Sequence, residues 1–155
     1  MLIFTEFYIY ADTLKPKLYS INDFNSILDL DESVYGLRTR GKFIAESILK
    51  NECFTASING QIIGFAILNY TFYENGFIGL LIVDNSYRRM KVGKKLMEYV
   101  ECKCSTEKLF TSTNQSNIPM QSLLASCGYV RSGYIDNLDE GDPELVYFKR
   151  IGKGK

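Results

Sequence analysis

The stretch 82-IVDNSYRRMKVGKKLMEYV-100 decides how the rest of the chain reads. Apolar and β-branched residues run to Val83, a short polar loop follows, and from Val92 apolar residues recur at helical spacing through Leu96 and Val100. A strand therefore feeds a loop and then a helix. The first N–H groups of a helix have no intrahelical partner, and its dipole adds roughly half a positive charge there, so such a junction receives anions. Arg88, Arg89, Lys91, Lys94 and Lys95 add cationic side chains to it. A solvated basic turn would account for those charges equally well. The choice depends on what surrounds the loop.

Downstream, a helix over 92–104 and a strand over 108–113 complete a β-α-β unit whose two strands should be parallel. Upstream, Asn59-Gly60 and Asn75-Gly76 each separate β-rich runs, and Asn-Gly readily takes the paired positive φ of a type I′ turn. They predict a meander of strands at 53–58, 61–73 and 77–83. Further towards the N-terminus, 2-LIFTEFYIY-10 reads as a strand. Helices follow at 20–31, with Ser20 as N-cap ahead of Phe24, Ile27 and Leu28, and at 40–50, with Phe43, Ile44, Ile48 and Leu49 on its apolar side. Towards the C-terminus a helix spans 118–127. Asn117 caps it, Pro119 sits in its first turn, Gly128 stops it, and Met120, Leu123, Leu124 and Cys127 form its buried face. Strands at 129–135 and 144–150, joined by DNLDEGDP, complete the order, and the final GKGK reads as a frayed tail. The expected fold is α+β in one domain, 1–155: a mixed, mostly antiparallel central sheet of about seven strands flanked by about four helices.

Composition narrows the chemistry. Apolar residues make up 46% and charged residues 23%, as in soluble globular proteins. Lys plus Arg equal Asp plus Glu at 18 each, which gives no footprint for nucleic acid, and no apolar run is long enough to cross a membrane. No signal-peptide pattern opens the sequence, and Cys53, Cys102, Cys104 and Cys127 lack a disulfide-framework spacing, so the expected compartment is the cytoplasm. Histidine is absent, which removes the commonest general base and nearly all catalytic zinc sites. No metal is expected.

Neither the Walker phosphate loop nor the G-x-G-x-x-G fingerprint occurs. Arg88-Arg89-Met90-Lys91-Val92-Gly93 resembles instead the [QR]-x-x-G-x-[GA] acyl-CoA loop of the GNAT acyltransferase superfamily. NQSNIPMQSLLASCGY looks like that family's second signature, with Asn114, Asn117, Leu123, Gly128 and Tyr129 in register. The predicted element order is also similar to the family's. Two positions depart from its pattern: Lys91 replaces a glycine, and Leu124 stands where many members carry the Tyr that protonates the departing thiolate. Lys91 fits if its position already belongs to the first helical turn, where φ is negative.

The resemblance implies acetyl-CoA as cosubstrate and an amine as acceptor, with the coenzyme between the strands at 77–83 and 108–113. Its pantetheine would pair with the backbone of Leu81, Ile82 and Val83. Its pyrophosphate would rest on the amides from Arg89 through Met90, Lys91, Val92 and Gly93 to Lys94, with Arg88 beside them and Asn117 contacting the coenzyme or serving as a helix cap. The Val83 N–H would be the oxyanion donor. For proton transfer Tyr129, Tyr134 or a bound water stand open, and Glu74 is a candidate base whose alternative, a solvated turn residue, is favoured. The carboxylates Asp136, Asp139, Glu140, Asp142 and Glu144 read first as a solvated turn and second as an attractor for a cationic acceptor. The implied activity is N-acetyl transfer to a small molecule or peptide; a catalytically silent acyl-CoA-binding module is the alternative.

Overall fold

The computed structural model describes residues 17–18 and 23–152, so the strand expected at 2–10 and the cap expected at Ser20 lie outside the described residues. Seven strands are present among them: β1 (Lys17–Leu18), β2 (Cys53–Ile58), β3 (Gln61–Phe72), β4 (Asn75–Val83), β5 (Lys108–Asn114), β6 (Val130–Ile135) and β7 (Glu144–Arg150). Four α-helices accompany them: α1 (Phe24–Tyr35), α2 (Gly41–Leu49), α3 (Val92–Lys103) and α4 (Ile118–Ser126). The fold is α+β with a mostly antiparallel sheet, as expected. The chain divides into two compact units, Met1–Ile67 with Leu80–Tyr99, and Leu68–Gly79 with Val100–Lys155.

In the first unit the strand order is β1-β2-β3-β4, with β1–β2 and β2–β3 antiparallel. Asn59 and Gly60 have φ of 50° and 82°, the two positive values of the predicted type I′ turn. Ile27, Leu28, Leu30, Ile44, Ile62, Phe65 and Ile67 form the core, as the helical stripe of α1 and the buried run of β3 require. α1 ends later than predicted, and its predicted start lies outside the described residues. It continues to Tyr35, where Gly36 turns left-handed at φ 84° and donates its N–H to the Glu32 carbonyl at 2.8 Å. Beyond Leu30 the pattern looks polar, yet Asp31 is buried because Arg40 grips both its oxygens, at 2.6 and 3.2 Å. Phe43 and Leu49, expected inside, are 37% and 75% exposed; the short α2 buries only Ile44 and Ser47.

In the second unit the order is β3-β4-β5-β7-β6. β4 and β5 pair in parallel from Gly76↔Leu109 to Ile78↔Thr111, as the β-α-β reading required, and the Thr111 hydroxyl donates to the Ile78 carbonyl at 3.0 Å. β7 runs antiparallel to both β5 and β6. Phe77, Phe110 and Phe148 lie opposite one another across β4, β5 and β7 and make an aromatic row with Phe72, at centroid separations of 5.0 to 5.3 Å.

The Asn75-Gly76 turn is corrected. The left-handed pair is Tyr73 and Glu74, at φ 48° and 59°, and β4 already begins at Asn75. Gly76 serves a different purpose. A Cβ there would overlap Cys104 Sγ and crowd Thr106 and Leu109, and the Gly76 N–H donates to Thr106 Oγ1 at 2.9 Å. Glycine is present so that the segment after α3 can press against the strand backbone.

Candidate functional site

Residues 81–83, at the end of β4 and in the first unit, are half-buried. The Asp84 N–H donates to the Ile63 carbonyl on β3 at 2.9 Å. Adjacent amides of an extended chain point to opposite edges, so the Val83 N–H is directed away from β3. Asp84 also accepts the Ser86 N–H on its carboxylate at 2.7 Å, while its carbonyl accepts the Tyr87 N–H at 2.9 Å. These bonds set the 3-10 turn Asn85–Tyr87 that opens the loop. Sequence reasoning passed over Asp84, although Asp-x-Ser after a strand is an Asx-turn signal.

The loop backbone then alternates. Arg88 is extended at φ −66°, Arg89 is left-handed at φ 61°, Met90 is not, and Lys91 is left-handed at φ 63°. Residues of alternating φ sign turn successive N–H groups towards one side, which makes a concave anion cradle. The first intrahelical bond behind it runs from the Lys95 N–H to the Lys91 carbonyl at 3.0 Å, so the amides of Val92, Gly93 and Lys94 precede the helix ladder. Arg88, Arg89 and Lys91 are exposed; Lys94 and Lys95 are half-buried. The expectation that Lys91 has helical φ is corrected: the position keeps the geometry that favours glycine, and the lysine adopts it at a cost of about 1 to 2 kcal/mol.

Packing fixes where α3 starts. Val92, Leu96 and Met97 are 3%, 0% and 0% exposed. Gly64 on β3 lies beneath Val92 and Leu96, and a Cβ there would sit 3.1 Å from Leu96, 3.3 Å from Val92 and 3.0 Å from the Ile82 carbonyl. The absent side chain lets the first turn of α3 approach β3 closely.

The second unit holds the other candidates. Asn117 is exposed and accepts the Met120 N–H at 3.2 Å, the cap that was predicted, with Pro119 in the first turn and Gly128 left-handed at φ 81° after the helix. Leu124 is fully buried. Tyr129 is 4% exposed, and its buried hydroxyl lies near the Glu101 carboxylate. Burial and then the Glu101 carboxylate push its pKa far upward, which disfavours a phenolate there. Glu101 itself is paired with Lys149 at 2.7 Å. Tyr134 on β6 is exposed, and Glu74 is an exposed residue of the Tyr73-Glu74 turn. Of the acidic group, Asp139 and Asp142 are engaged, with Asn114 and Ser116 respectively. Among the described residues no group of His, Cys, Asp or Glu is placed to hold a metal, and no disulfide joins any of the four cysteines.

The structure thus brings Leu81, Ile82, Val83, Arg88, Arg89, Met90, Lys91, Val92, Gly93 and Lys94 together in the first unit, while Glu74, Asn117, Tyr129 and Tyr134 belong to the second. The sequence model of the acetyltransferase (GNAT) family matches residues 18–129. The chain belongs to that family. A GNAT-family acetyltransferase from Bacillus cereus has the same fold, with a TM-score of 0.86, 34% identity, and coverage of 90% of this GNAT chain and 99% of that one. An aminoglycoside 6'-N-acetyltransferase complexed with coenzyme A shares the fold at a TM-score of 0.77 and 14% identity, covering 91% of this chain and 99% of its own. N-alpha-acetyltransferase 30 of Dictyostelium discoideum is 34% identical over 87 residues, 51% of this chain. The alignment spans only 46% of that relative's length.

Proposed function

We propose that this GNAT chain transfers an acetyl group from acetyl-CoA to a primary amine of a small molecule or peptide by direct attack. The alternating backbone of residues 88–91, ahead of the first-turn amides of α3, is the observation that carries the reading. The amides of Arg89 through Lys94 would hold the pyrophosphate, with Arg88 and Lys91 supplying charge. Residues 81–83 would pair with the pantetheine, which the outward direction of the Val83 N–H favours. Asn117 would contact the coenzyme as well as cap α4. The reaction takes place in the cytoplasm, which suits four cysteines outside any disulfide. No helix among the described residues is long and apolar enough to cross a membrane.

In the reaction the amine nitrogen bonds to the acetyl carbon, the carbon–sulfur bond breaks, the electron pair leaves on sulfur, and the amine proton passes to solvent or thiolate. Charge developing on the carbonyl oxygen would meet the Val83 N–H, a type of donor worth ~3 kcal/mol. An alkyl amine titrates near ~10.4 and must lose a proton first, whereas a thiol near ~8.5 leaves as thiolate with little help. This asymmetry lets the site work with a buried leucine at position 124. Tyr134 has the exposure that proton exchange needs, and Tyr129, buried and held neutral, is less suited.

Leu124 also motivates the alternative, an acyl-CoA-binding module without turnover. Following thiol release from acetyl-CoA across an amine panel separates the two, because turnover with any amine excludes the silent module. For the loop itself, Gly93→Glu places a carboxylate among the proposed phosphate donors. It should weaken acetyl-CoA binding by at least about tenfold while thermal stabilisation by ligand is lost in parallel. Unchanged affinity in a folded variant would remove the loop from the site.

A further inference from the structure

The segment leading into α4 has almost nothing apolar to hold it. Gln115, Ser116 and Asn117 are exposed, and Ile118 is 61% exposed. Its place is set by polar bonds, most of them to a turn some 26 residues later. Asp142 takes the Ser116 N–H on one carboxylate oxygen at 2.9 Å and the Ser116 hydroxyl on the other at 2.6 Å. The Gln115 N–H donates to the Pro143 carbonyl at 2.8 Å, and Asn114 Nδ2 donates to Asp139 Oδ2 at 2.7 Å. Within the segment, the Asn117 N–H returns to the Asn114 carbonyl at 3.0 Å, and Gln121 Nε2 reaches the Gln115 carbonyl at 2.6 Å. The turn is shaped to present those carboxylates, with Asn137 and Gly141 left-handed at φ 66° and 76° and the Asp142 N–H on the Asp139 carbonyl at 3.2 Å.

We infer that Asp142 is a positioning residue for the coenzyme: by gripping both donors of Ser116 it fixes the next residue, Asn117, in the orientation that meets acetyl-CoA. The inference rests on the coenzyme role proposed for Asn117. A carboxylate accepting two hydrogen bonds from one residue restrains position and rotation together, which a single neutral bond does not. It also gives part of the acidic turn a task other than attracting a cationic acceptor. Asp139 and Asp142 are occupied, which leaves Asp136, Glu140 and Glu144 as the carboxylates of that turn outside the clasp.

The test uses the full chain, coenzyme A as the calorimetric probe, and amide hydrogen exchange at residues 115–117. Asp142→Ala should speed exchange of the Ser116 amide and raise the Kd for coenzyme A about tenfold. Asp142→Asn can still accept the Ser116 N–H on its amide oxygen and donate Nδ2 to the Ser116 hydroxyl. It should therefore remain within about twofold of wild type, a rescue that loss of a carboxylate's charge alone would not give. Ser116→Ala removes one bond of the pair and should raise the Kd about threefold, which keeps the inference testable if Asp142→Ala folds poorly. Faster exchange in Asp142→Ala with an unaltered Kd would overturn the positioning role while leaving the coenzyme reading intact. A wild-type chain that does not bind coenzyme A would overturn that reading and this inference with it.

Discussion

Lys91→Gly against Lys91→Ala is the sharpest test of the loop geometry, because the two possible backbones predict opposite signs. Lys91 has φ 63°, and an L-residue held left-handed costs about 1 to 2 kcal/mol. Glycine escapes that cost but loses about 0.5 to 1 kcal/mol through its freer unfolded chain. Lys91→Gly should therefore exceed Lys91→Ala in stability by roughly 0.5 to 1 kcal/mol, since both lose the same ammonium and alanine keeps the strain. For a domain of this size that is a Tm higher by about 1 to 4 °C. Thermal unfolding followed by circular dichroism, with urea titration as a second measure, resolves this, and moderate salt suppresses the change in charge. Were position 91 an ordinary first-turn residue, glycine would instead be worse than alanine by up to about 1 kcal/mol. Lys91→Gly measuring less stable than Lys91→Ala would refute the left-handed assignment, and the alternating cradle would lose one of its two positive-φ residues.

Two further outcomes follow from the same structure. Gly76→Ala forces a methyl group onto Cys104 Sγ and should cost about 1 to 3 kcal/mol in chemical denaturation, with Cys104→Ala in the same chain recovering part of it; a neutral Gly76→Ala would show that this contact is not close. Cys53 is fully buried and burial pushes its thiol up to about 12 from 9.0, so the folded state binds more protons than the unfolded state between those values and stability falls as pH rises. The loss should reach about 2 kcal/mol near pH ~10.5, and Cys53→Ala should flatten that alkaline slope; equal slopes in the two proteins would reject the burial argument.

The errors of the sequence reading share a cause. Patterns that depend on chain neighbours were readable: the Asn59-Gly60 turn, the Asn117 cap, the left-handed Gly128 and the buried face around Leu124 all depend on residues within one turn of themselves. Gly76 looked the same locally but is a glycine for the sake of Cys104 and Thr106, some thirty residues away, so the turn moved to Tyr73 and Glu74, which carry no turn signature. Asp31 broke the apolar stripe of α1 only until Arg40 supplied its partner. The clasp between Ser116 and Asp142 joins two polar segments that each read as solvated loop when taken singly. Long-range polar pairing leaves no period in a sequence, and the segment that carries Asn117 is held largely by such pairing.

The two left-handed cations raise the question of why the loop does not relax. Strain of this kind persists only where the flanking structure over-determines the backbone. On one side Asp84 is bound three ways, through its N–H to Ile63, its carboxylate to Ser86 and its carbonyl to Tyr87. On the other, Val92 and Leu96 are buried above the gap that Gly64 leaves, and Met97 is buried beside them in sequence. Full burial of each such side chain contributes about 1.5 to 3 kcal/mol, together more than the roughly 2 to 4 kcal/mol that Arg89 and Lys91 cost. The span from Asp84 to Val92 is thus fixed at both ends by contacts that need no ligand. The coenzyme would meet amides already turned its way and would owe little of its binding energy to ordering them.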